Sequence, residues 1–203
     1  MDDSVQESLV RLVDPHRGHF AMESGHHGDQ WLDLNRLFLK PRPVAPFASR
    51  LAGRLSPLAI DAVCGPFAGG AFLAQMVASE LDATFCFTER QAVPDVVSDN
   101  TRNQVDYRLP DGLRDEVAGK RIAVIDDAIN AGFAVRKTLA ALRSCGAEPV
   151  AVGALLVLGS SGARCDRFDD LPMMTIATLP SALWRPEACP LCARGIRLER
   201  RGG

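Results

Sequence analysis

The stretch that decides the fold is Arg121-Ile-Ala-Val-Ile-Asp-Asp-Ala-Ile-Asn-Ala-Gly-Phe-Ala-Val-Arg136. Its apolar residues from Ile122 to Ile125 predict a buried strand, and a loop of small residues then leads into a helix predicted over about 132–145. Two adjacent acids, Asp126 and Asp127, follow the apolar run at its carboxyl end. Open α/β sheets bind their ligands at the carboxyl ends of the strands, so we expect a binding site here.

The chemistry of this stretch suits a phosphorylated sugar. The backbone N–H groups of the loop and the positive end of the helix dipole can bind a phosphate. The carboxylates of Asp126 and Asp127 can accept hydrogen bonds from sugar hydroxyls or face a hydrated Mg²⁺. A second interpretation stays open, in which Asp127 only caps the following helix and stabilises it by about 1 kcal/mol.

Strand and helix patterns alternate on both sides of this stretch. The predicted strands cover 60–64, 84–87, 122–125, 150–158 and 173–177, and the predicted helices cover 5–13, a segment ending near 55, 70–81 and 132–145. Alternation of strands that are apolar on both faces predicts an α/β protein with a central parallel sheet flanked by helices. We expect a single domain over 1–203, with a small N-terminal hood from about 1–40 and a tail from about 180.

The composition narrows the class of protein. The chain has 203 residues, 47% hydrophobic content and a formal net charge of −2, so no basic excess indicates a nucleic-acid partner. The N-terminus lacks the layout of a signal peptide, and the uncharged run 62–79 fits a strand, loop and helix better than a membrane span. The six cysteines do not form a disulfide pattern. We therefore expect a soluble cytoplasmic protein with no membrane contact.

Two further segments carry hypotheses about function. The polar stretch 89–119 is too long for a plain connector, and because it starts at the end of a strand we favour a mobile lid over a surface excursion or an extra hairpin. Cys189-Pro-Leu-Cys192 has the spacing of half a zinc site. The other ligands would come from a second pair in a symmetric dimer or from histidines, for which the candidates are His16, His19, His26 and His27.

Other interpretations of these cysteines and histidines remain open. The pair at Cys189 and Cys192 can be two ordinary tail cysteines, while a redox role is disfavoured because Pro186 and Pro190 flank the first cysteine. A solvent-facing position in a polar loop is the simplest expectation for His26 and His27.

Four segments resemble, in the same order, the type I phosphoribosyltransferases, and within them the orotate phosphoribosyltransferases. They are Arg17-Gly-His-Phe-Ala-Met-Glu-Ser-Gly25, Asp61-Ala-Val-Cys-Gly-Pro-Phe-Ala-Gly-Gly70, Phe85-Cys-Phe-Thr-Glu-Arg90 and the stretch from Ile122 to Thr138. The resemblance implies the type I phosphoribosyltransferase fold and transfer of phosphoribosyl from phosphoribosyl pyrophosphate to orotate or a related nucleobase, with release of pyrophosphate. It also implies Mg²⁺ bound with the donor, and a homodimer.

The resemblance assigns roles to individual residues. Asp126 and Asp127 would hold the ribose hydroxyls, and Arg90, next to Glu89, would act from the catalytic loop. The 5′-phosphate would bind to the backbone amides of Asn130, Ala131, Gly132, Phe133 and Ala134, and pyrophosphate would lie against Gly65, Gly69 and Gly70.

The chain also departs from the family pattern. Asn130 and Phe133 stand where Thr or Ser is common, Glu23 stands where Lys is common, and Gly159-Ser160 replaces an Asp-Arg pair. After Arg90, the lid contains neither Lys nor His before Lys120, which leaves Arg102 and Arg108 as the candidates to compensate. An alternative function is therefore a catalytically impaired homologue that binds phosphoribosyl pyrophosphate or a nucleotide as a regulatory protein.

Overall fold

The computed structural model of the chain describes residues 3–22, 24–92, 105–159 and 167–200. The helices are α1 Asp3–Val13, α2 Ala45–Leu55, α3 Gly69–Leu81, α4 Arg114–Val117, α5 Phe133–Ser144 and α6 Pro190–Ala193. The strands are β1 His16–Ala21, β2 His27–Trp31, β3 Ala62–Pro66, β4 Thr84–Ala92, β5 Val105–Arg108, β6 Arg121–Ile129, β7 Glu148–Gly159, β8 Arg167–Phe168, β9 Leu171–Pro180 and β10 Leu183–Trp184. Short 3₁₀ turns cover Leu34–Leu39, Ser56–Leu58, Asp111–Leu113 and Pro186–Ala188.

The main sheet has seven strands in the order β5-β4-β3-β6-β7-β9-β8. Its five inner strands, from β4 to β9, are parallel, and the edge strands β5 and β8 are antiparallel to their neighbours. β6 lies between β3 and β7 and is buried over Ile122–Ile125. The predicted α/β fold with a central parallel sheet is therefore confirmed.

Separate apolar clusters cover the two faces of this sheet, as expected for strands that are apolar on both sides. One cluster contains Leu51 of α2, Leu73 of α3 and Leu155 of β7, all fully buried. The other contains Leu139 and Leu142 of α5 with Val124 of β6. The inner strands are thus held between two helical layers, which fixes the carboxyl ends of the strands at one edge.

A three-stranded antiparallel sheet, β1-β2-β10, forms the hood. Its third strand comes from the tail, since Leu183 and Trp184 of β10 pair with Gly28 and His27 of β2. Arg17 and Asp29 form an ion pair at 2.8 Å, and Asp29 also accepts a 2.8 Å hydrogen bond from the amide of Ala182. The hood is therefore built from both an early and a late part of the chain.

The structure corrects three expectations about the elements. β6 does not end at Ile125 but continues to Ile129, so Asp126 and Asp127 lie within the strand. β4 does not end at Phe87 but continues to Ala92 and pairs with β5, a 3₁₀ turn and α4 follow β5, and residues 93–104 lie outside the described ranges. His27, which we expected in a polar loop, is a buried residue of β2. Among the described residues, no helix has the length and apolar character needed to cross a membrane.

Candidate active site

Asp126 and Asp127 lie on β6 in the middle of the main sheet. Asp126 is 8% exposed and pairs with Ala154 of β7. Each carboxylate accepts a hydrogen bond from the backbone amide that follows it: the amide of Asp127 donates to Oδ1 of Asp126 at 3.0 Å, and the amide of Ala128 donates to Oδ1 of Asp127 at 2.7 Å. These local bonds fix both carboxylates relative to the strand.

The acids face the start of α3, where two glycines make room for them. A Cβ atom on Gly70 would lie 2.7 Å from Oδ1 of Asp126, and a Cβ atom on Gly69 would overlap Oδ2 of Asp127. Gly65 is equally constrained, because its Cβ would overlap the backbone carbonyl of Gly70. The structure thus brings the predicted pyrophosphate-side glycines into direct contact with the predicted ribose-binding acids.

Burial also affects the ionisation of Asp127. Removal of this carboxyl group from water raises its pKa above the usual range for aspartate. The hydrogen bonds that the group makes with the Ala128 amide and with Asp126 oppose the increase only in part. A ligand that donates hydrogen bonds or carries positive charge would therefore stabilise the ionised form more here than at a solvated aspartate.

The helix-capping interpretation of Asp127 is wrong. α5 begins at Phe133, and its N-cap residue is Gly132, which adopts the left-handed conformation with φ of 71°. A side chain at this position would also be blocked, because a Cβ atom on Gly132 would lie 2.5 Å from the ring of Phe168. Asp127 is separated from α5 by the last two residues of β6 and the loop 130–132, and its carboxylate accepts a hydrogen bond from the backbone amide of Ala128.

Arg136 contacts the loop 130–132 and connects it to a later part of the chain, a role that the sequence did not indicate. Its guanidinium donates a 2.6 Å hydrogen bond to the carbonyl of Ala131 and lies 4.8 Å from the centre of the Phe168 ring. The same group is 3.5 Å from a carboxylate oxygen of Asp169. Arg136 therefore connects the predicted phosphate loop to the segment before β9. An arginine one turn into the helix was visible in the sequence, but its partners at 168 and 169 were not.

The remaining predicted phosphate-binding residues lie at the start of α5. Asn130 and Ala131 form the half-buried turn before Gly132, and Ala134 is the second residue of the helix. The ring of Phe133 lies 5.9 Å from the ammonium group of Lys137, one helical turn along, and this ammonium is 3.6 Å from Asp106 of β5. Phe133 is therefore on the flank of α5 that faces β5.

Glu89 and Arg90 lie near the end of β4, next to the glycine loop. The amide of Phe67 donates a 2.8 Å hydrogen bond to the carbonyl of Thr88, and the Thr88 side chain bonds that of Thr138 of α5 at 2.7 Å in the buried interior. Glu89 and Arg90 follow directly, are exposed and pair with Arg108 and Tyr107 of β5.

Of the two other arginines in the predicted lid, Arg108 lies within the described residues and Arg102 does not. Arg108 lies 3.6 Å from Asp106, so part of its charge is already compensated within the hairpin. Arg102 lies outside the described residues, as do Glu23 and Ser160.

A cavity of about 810 Å³ lies beside this region, between β5, α4 and α5. Its lining includes Glu89, Asp106, Arg114, Lys137 and Cys145. Asp126, Asp127 and the loop 130–134 do not line it. Of the predicted site residues, Glu89 therefore lines this cavity, whereas the acid pair adjoins the glycine loop.

A separate cluster joins the hood to the tail. His19 of β1, His27 of β2, Cys189 and Cys192 place their potential ligand atoms within 4.8 Å of one another. The two histidines and Cys189 are buried, and Cys192 is exposed. Burial, together with the neighbouring His19 and Arg200, lowers the pKa of His27, which favours its neutral form. The Cys pair predicted as half a metal site thus meets two histidines of its own chain.

The other two candidate histidines are not part of this cluster. His16 is exposed at the start of β1, and Nδ1 of His26 is within hydrogen-bond distance of Ser24. Cys189 precedes the single turn of α6, and the segment before it is a 3₁₀ turn rather than the strand that the redox interpretation requires.

Comparison with known proteins identifies the family. The model of the phosphoribosyl transferase domain matches residues 45–188. The orotate phosphoribosyltransferase of Caldanaerobacter subterraneus subsp. tengcongensis is 30% identical over 201 residues, which cover 98% of this chain and 96% of that relative. The orotate phosphoribosyltransferase of Thermotoga maritima is 31% identical over 198 residues, which cover 98% and 97%.

Solved structures agree on the fold. The orotate phosphoribosyltransferase from Aeropyrum pernix has a TM-score of 0.59 at 24% identity, covering 86% of this chain and 93% of that one. The adenine phosphoribosyltransferase from Rhodothermus marinus has a TM-score of 0.62 at 19% identity, covering 88% and 100%. The chain therefore belongs to the type I phosphoribosyltransferase family, a family of pentosyltransferases.

Proposed function

We propose that the protein transfers the phosphoribosyl group of phosphoribosyl pyrophosphate to orotate or a related nucleobase. A ring nitrogen of the base forms a bond to the anomeric carbon of the ribose while the bond from that carbon to pyrophosphate breaks. Pyrophosphate leaves with the electron pair of the broken bond. Support comes from the two relatives at 30% and 31% identity, both named for orotate and both matched over nearly their full length.

The contact of the acid pair with the glycine pair carries this proposal. Asp126 and Asp127 lie against Gly70 and Gly69, and β6 continues from them into the loop 130–134. In the proposed complex, the carboxylates accept hydrogen bonds from the ribose hydroxyls. The amides of Asn130, Ala131, Gly132, Phe133 and Ala134 bind the 5′-phosphate at the N-terminus of α5. Gly65, Gly69 and Gly70 allow pyrophosphate to approach the backbone.

The residues of this site also fit Mg²⁺ as a partner of the donor. Carboxylate oxygens are the ligands that Mg²⁺ prefers, and Asp126 and Asp127 provide them beside the proposed pyrophosphate position. A cation near Asp127 would also offset the unfavourable burial of its charge. When bound, Mg²⁺ would partly neutralise the charge of the leaving pyrophosphate.

The hairpin between β4 and β5 is the proposed lid. The transition state resembles an oxocarbenium ion, which reacts with water unless water is kept out. Arg90 lies on β4 just beyond the glycine loop. In the proposed complex it contacts pyrophosphate when the hairpin closes. Glu89 precedes it in the same strand and is the neighbouring polar group available to the substrate.

We also propose that the protein is a homodimer. Phe38, Phe67 and Phe72 form an aromatic surface, with ring centres 5.7 Å apart for Phe38–Phe72 and 6.0 Å apart for Phe67–Phe72. Phe67 is 53% exposed and Phe72 is 44% exposed. Leu39, which follows Phe38 in the chain, is 75% exposed and is counted as part of this surface. Neighbouring exposed apolar side chains of this kind mark surfaces at which proteins associate. A second copy of this chain is the partner that the family resemblance implies.

Pyrophosphate release tests the proposal. The purified protein is incubated with phosphoribosyl pyrophosphate, Mg²⁺ and orotate, uracil, adenine or hypoxanthine in turn. We expect release that depends on both donor and base, with orotate as the best acceptor. Release with adenine or hypoxanthine alone would show that the acceptor is a purine and not orotate. Absence of release with all four bases would contradict the proposed transferase activity.

A regulatory binding protein is the second candidate, and the lid composition favours it. Charge-assisted hydrogen bonds to pyrophosphate contribute roughly 1.5–3 kcal/mol each, and the described part of the hairpin offers Arg90 and an Arg108 that is already near Asp106. Calorimetry with phosphoribosyl pyrophosphate and with nucleoside monophosphates separates the two functions. Tight binding without turnover supports regulation, and turnover with orotate excludes it.

A further inference from the structure

We propose that His19, His27, Cys189 and Cys192 bind one Zn²⁺, which clamps the tail of the chain onto the hood. The four side chains come from β1, β2 and both ends of the turn that contains α6. This site is separate from Asp126 and Asp127, and it does not depend on the proposed transferase activity.

The spacing of the ligand atoms fits a tetrahedral zinc centre. With Zn–N near 2.05 Å and Zn–S near 2.3 Å, the edges of a tetrahedron are about 3.3 Å for N–N and about 3.6 Å for N–S. Here Nε2 of His19 is 3.1 Å from Nδ1 of His27. Sγ of Cys189 is 3.4 Å from Nε2 of His19, and Sγ of Cys192 is 3.8 Å from that nitrogen and 3.2 Å from Nδ1 of His27. Four atoms on this scale leave room for one ion at their centre.

His19 is oriented as a metal ligand. Its Nδ1 is 2.8 Å from the carbonyl oxygen of Ile196, and because a carbonyl can only accept, Nδ1 carries the proton. The lone pair is therefore on Nε2, which is the nitrogen that faces the cluster. Histidine ligands of metals generally donate their other ring N–H to a carbonyl or carboxylate in this manner. Ile196 lies in the tail, so the orienting bond also joins the two parts of the chain.

The types of ligand atom in this cluster favour zinc over the Mg²⁺ proposed for the active site. Two thiolates and two imidazoles in tetrahedral geometry are typical of structural zinc, whereas Mg²⁺ prefers oxygen ligands in an octahedron. All four positions are occupied by protein groups, which indicates a structural rather than a catalytic zinc. The Cys-x₂-Cys spacing also agrees with a zinc turn, and Gly195 follows it with φ of 67°.

The position of the cluster explains what the ion would do. Backbone pairing between tail and hood is short: Leu183 and Trp184 pair with β2, and Glu199 bonds to the backbone of His19 and Ala21. A metal that joins His19 and His27 to Cys189 and Cys192 binds the folded hood and tail and not the unfolded chain, so it stabilises the folded state. Folding of the hood and metal binding would therefore be coupled.

Metal content and cobalt substitution test the site directly. Protein purified under reducing conditions from zinc-supplemented medium is analysed by mass spectrometry of its metals, and we expect one zinc per chain. Stripped protein is then titrated with Co²⁺. We expect the visible d–d bands of tetrahedral cobalt together with thiolate-to-cobalt charge transfer. Absence of zinc together with absence of these bands would overturn the proposal.

Variants assign the ligands. Cys192→Ser and His27→Gln should each lower zinc affinity at least tenfold and weaken the cobalt bands, with loss of the charge-transfer intensity in the cysteine variant. The matched controls are Cys145→Ser, which removes a half-buried thiol outside the cluster, and His16→Gln, which removes an exposed histidine. Controls that lose zinc as strongly as the cluster variants would contradict the assignment.

A stability measurement and a thiol count distinguish a zinc site from a metal-free cluster of the same four side chains. Without metal, the four side chains can share protons or Cys189 and Cys192 can form a disulfide. Removing zinc by a chelator should lower the melting temperature of the wild type, and returning zinc should restore it. An unchanged melting temperature, or the loss of two thiols in protein that is unfolded with a chelator and without a reductant, would count against a zinc clamp.

Discussion

The carboxylate of Asp127 occupies the space beside Gly69 in which any other residue would place its Cβ atom. Gly69→Ala should therefore push this carboxylate away from α3. We expect the substitution to lower the free energy of unfolding by about 1–3 kcal/mol, as overpacking generally does, and to raise the KM for phosphoribosyl pyrophosphate at least tenfold. Chemical denaturation and steady-state kinetics measure the two effects.

Gly53→Ala is the matched control for this prediction. Gly53 lies within α2, and a Cβ atom there would meet no heavy atom within 4 Å. Because alanine favours a helix over glycine, the control should be neutral or more stable by about 0.5–1 kcal/mol. An equal loss of stability in both variants would show that the contact with Asp127 is not the cause.

Asp127→Asn separates ligand binding from folding. The amide side chain retains an oxygen that can accept the hydrogen bond from the Ala128 amide, so the fold should persist. If the carboxylate accepts the ribose hydroxyls as proposed, loss of its charge should reduce kcat/KM for the donor by about two orders of magnitude, or about 2.7 kcal/mol. Donor affinity measured by calorimetry should fall in parallel. Full activity in this variant would exclude the proposed role.

The difference in stability between Asp127→Asn and the wild type should depend on pH. Burial raises the folded-state pKa of Asp127 above its value in the unfolded chain. The contribution of this group to stability is therefore fully present below the unfolded pKa and is lost as pH rises through the folded pKa. Asn does not titrate, so the variant should gain stability relative to the wild type as pH rises from about 4. Urea denaturation across this range tests the trend; a constant difference at all pH values would contradict it.

Arg136→Ala should loosen the loop that carries the proposed phosphate site. The substitution removes the bond to the Ala131 carbonyl and the contact with Phe168. We expect the KM for the donor to rise about tenfold, equivalent to about 1.4 kcal/mol, with a smaller change in kcat. Arg136→Lys should rescue only part of the loss, because an ammonium lacks the planar fork and the stacking of a guanidinium. Arg143→Ala, an exposed change in the last turn of the same helix, is the control and should have no effect.

Phe133→Thr should improve donor binding. In the family pattern a hydroxyl residue commonly stands at this position, and the helix N-terminus would then add a side-chain donor for the 5′-phosphate. One hydrogen bond of this kind contributes about 0.5–1.5 kcal/mol, so the KM should fall roughly two- to tenfold. The contact between the ring and Lys137 is lost, but at 5.9 Å it contributes little. A higher KM would show that the ring itself shapes the site.

The proposed dimer depends on the aromatic surface. Leu39→Ser combined with Phe72→Ser replaces two of its exposed side chains and should shift the protein to the monomer at micromolar concentration. Leu12→Ser is the control, since Leu12 is 36% exposed on α1 and is not one of the residues of this surface. Light scattering after size-exclusion chromatography measures the mass. A wild-type protein that is already monomeric would contradict the proposal.

The sequence predicted the layered α/β fold well because apolar runs and helical periodicity depend on local order along the chain. It placed the end of β6 too early, at Ile125, because two acids usually end a buried strand. In the folded protein, β7 offers pairing partners up to Val157, and the backbone groups of Asp126 to Ile129 are satisfied by extending the strand. Contacts between strands distant in sequence decided this boundary.

The same reason explains what was missed at the two sites. The sequence identified Cys189 and Cys192 as half a metal site, but it did not choose among four histidines. That choice depends on β1, β2 and β10 forming one sheet, which brings His19 and His27 to the tail. Arg136 likewise acquires its role from Phe168 and Asp169, which lie more than thirty positions away and have no spacing that links them to it.

The hood sheet is assembled from strands near opposite ends of the chain, and this arrangement affects the order of folding during translation. The sheet from β3 to β9 has all its strands as soon as residue 180 has left the ribosome, whereas β1 and β2 wait for β10 and Glu199. A nascent chain halted in this interval would expose the unpaired edge of β2. A chain truncated after residue 182 should therefore be cut by proteases within the first forty residues before the rest of the polypeptide.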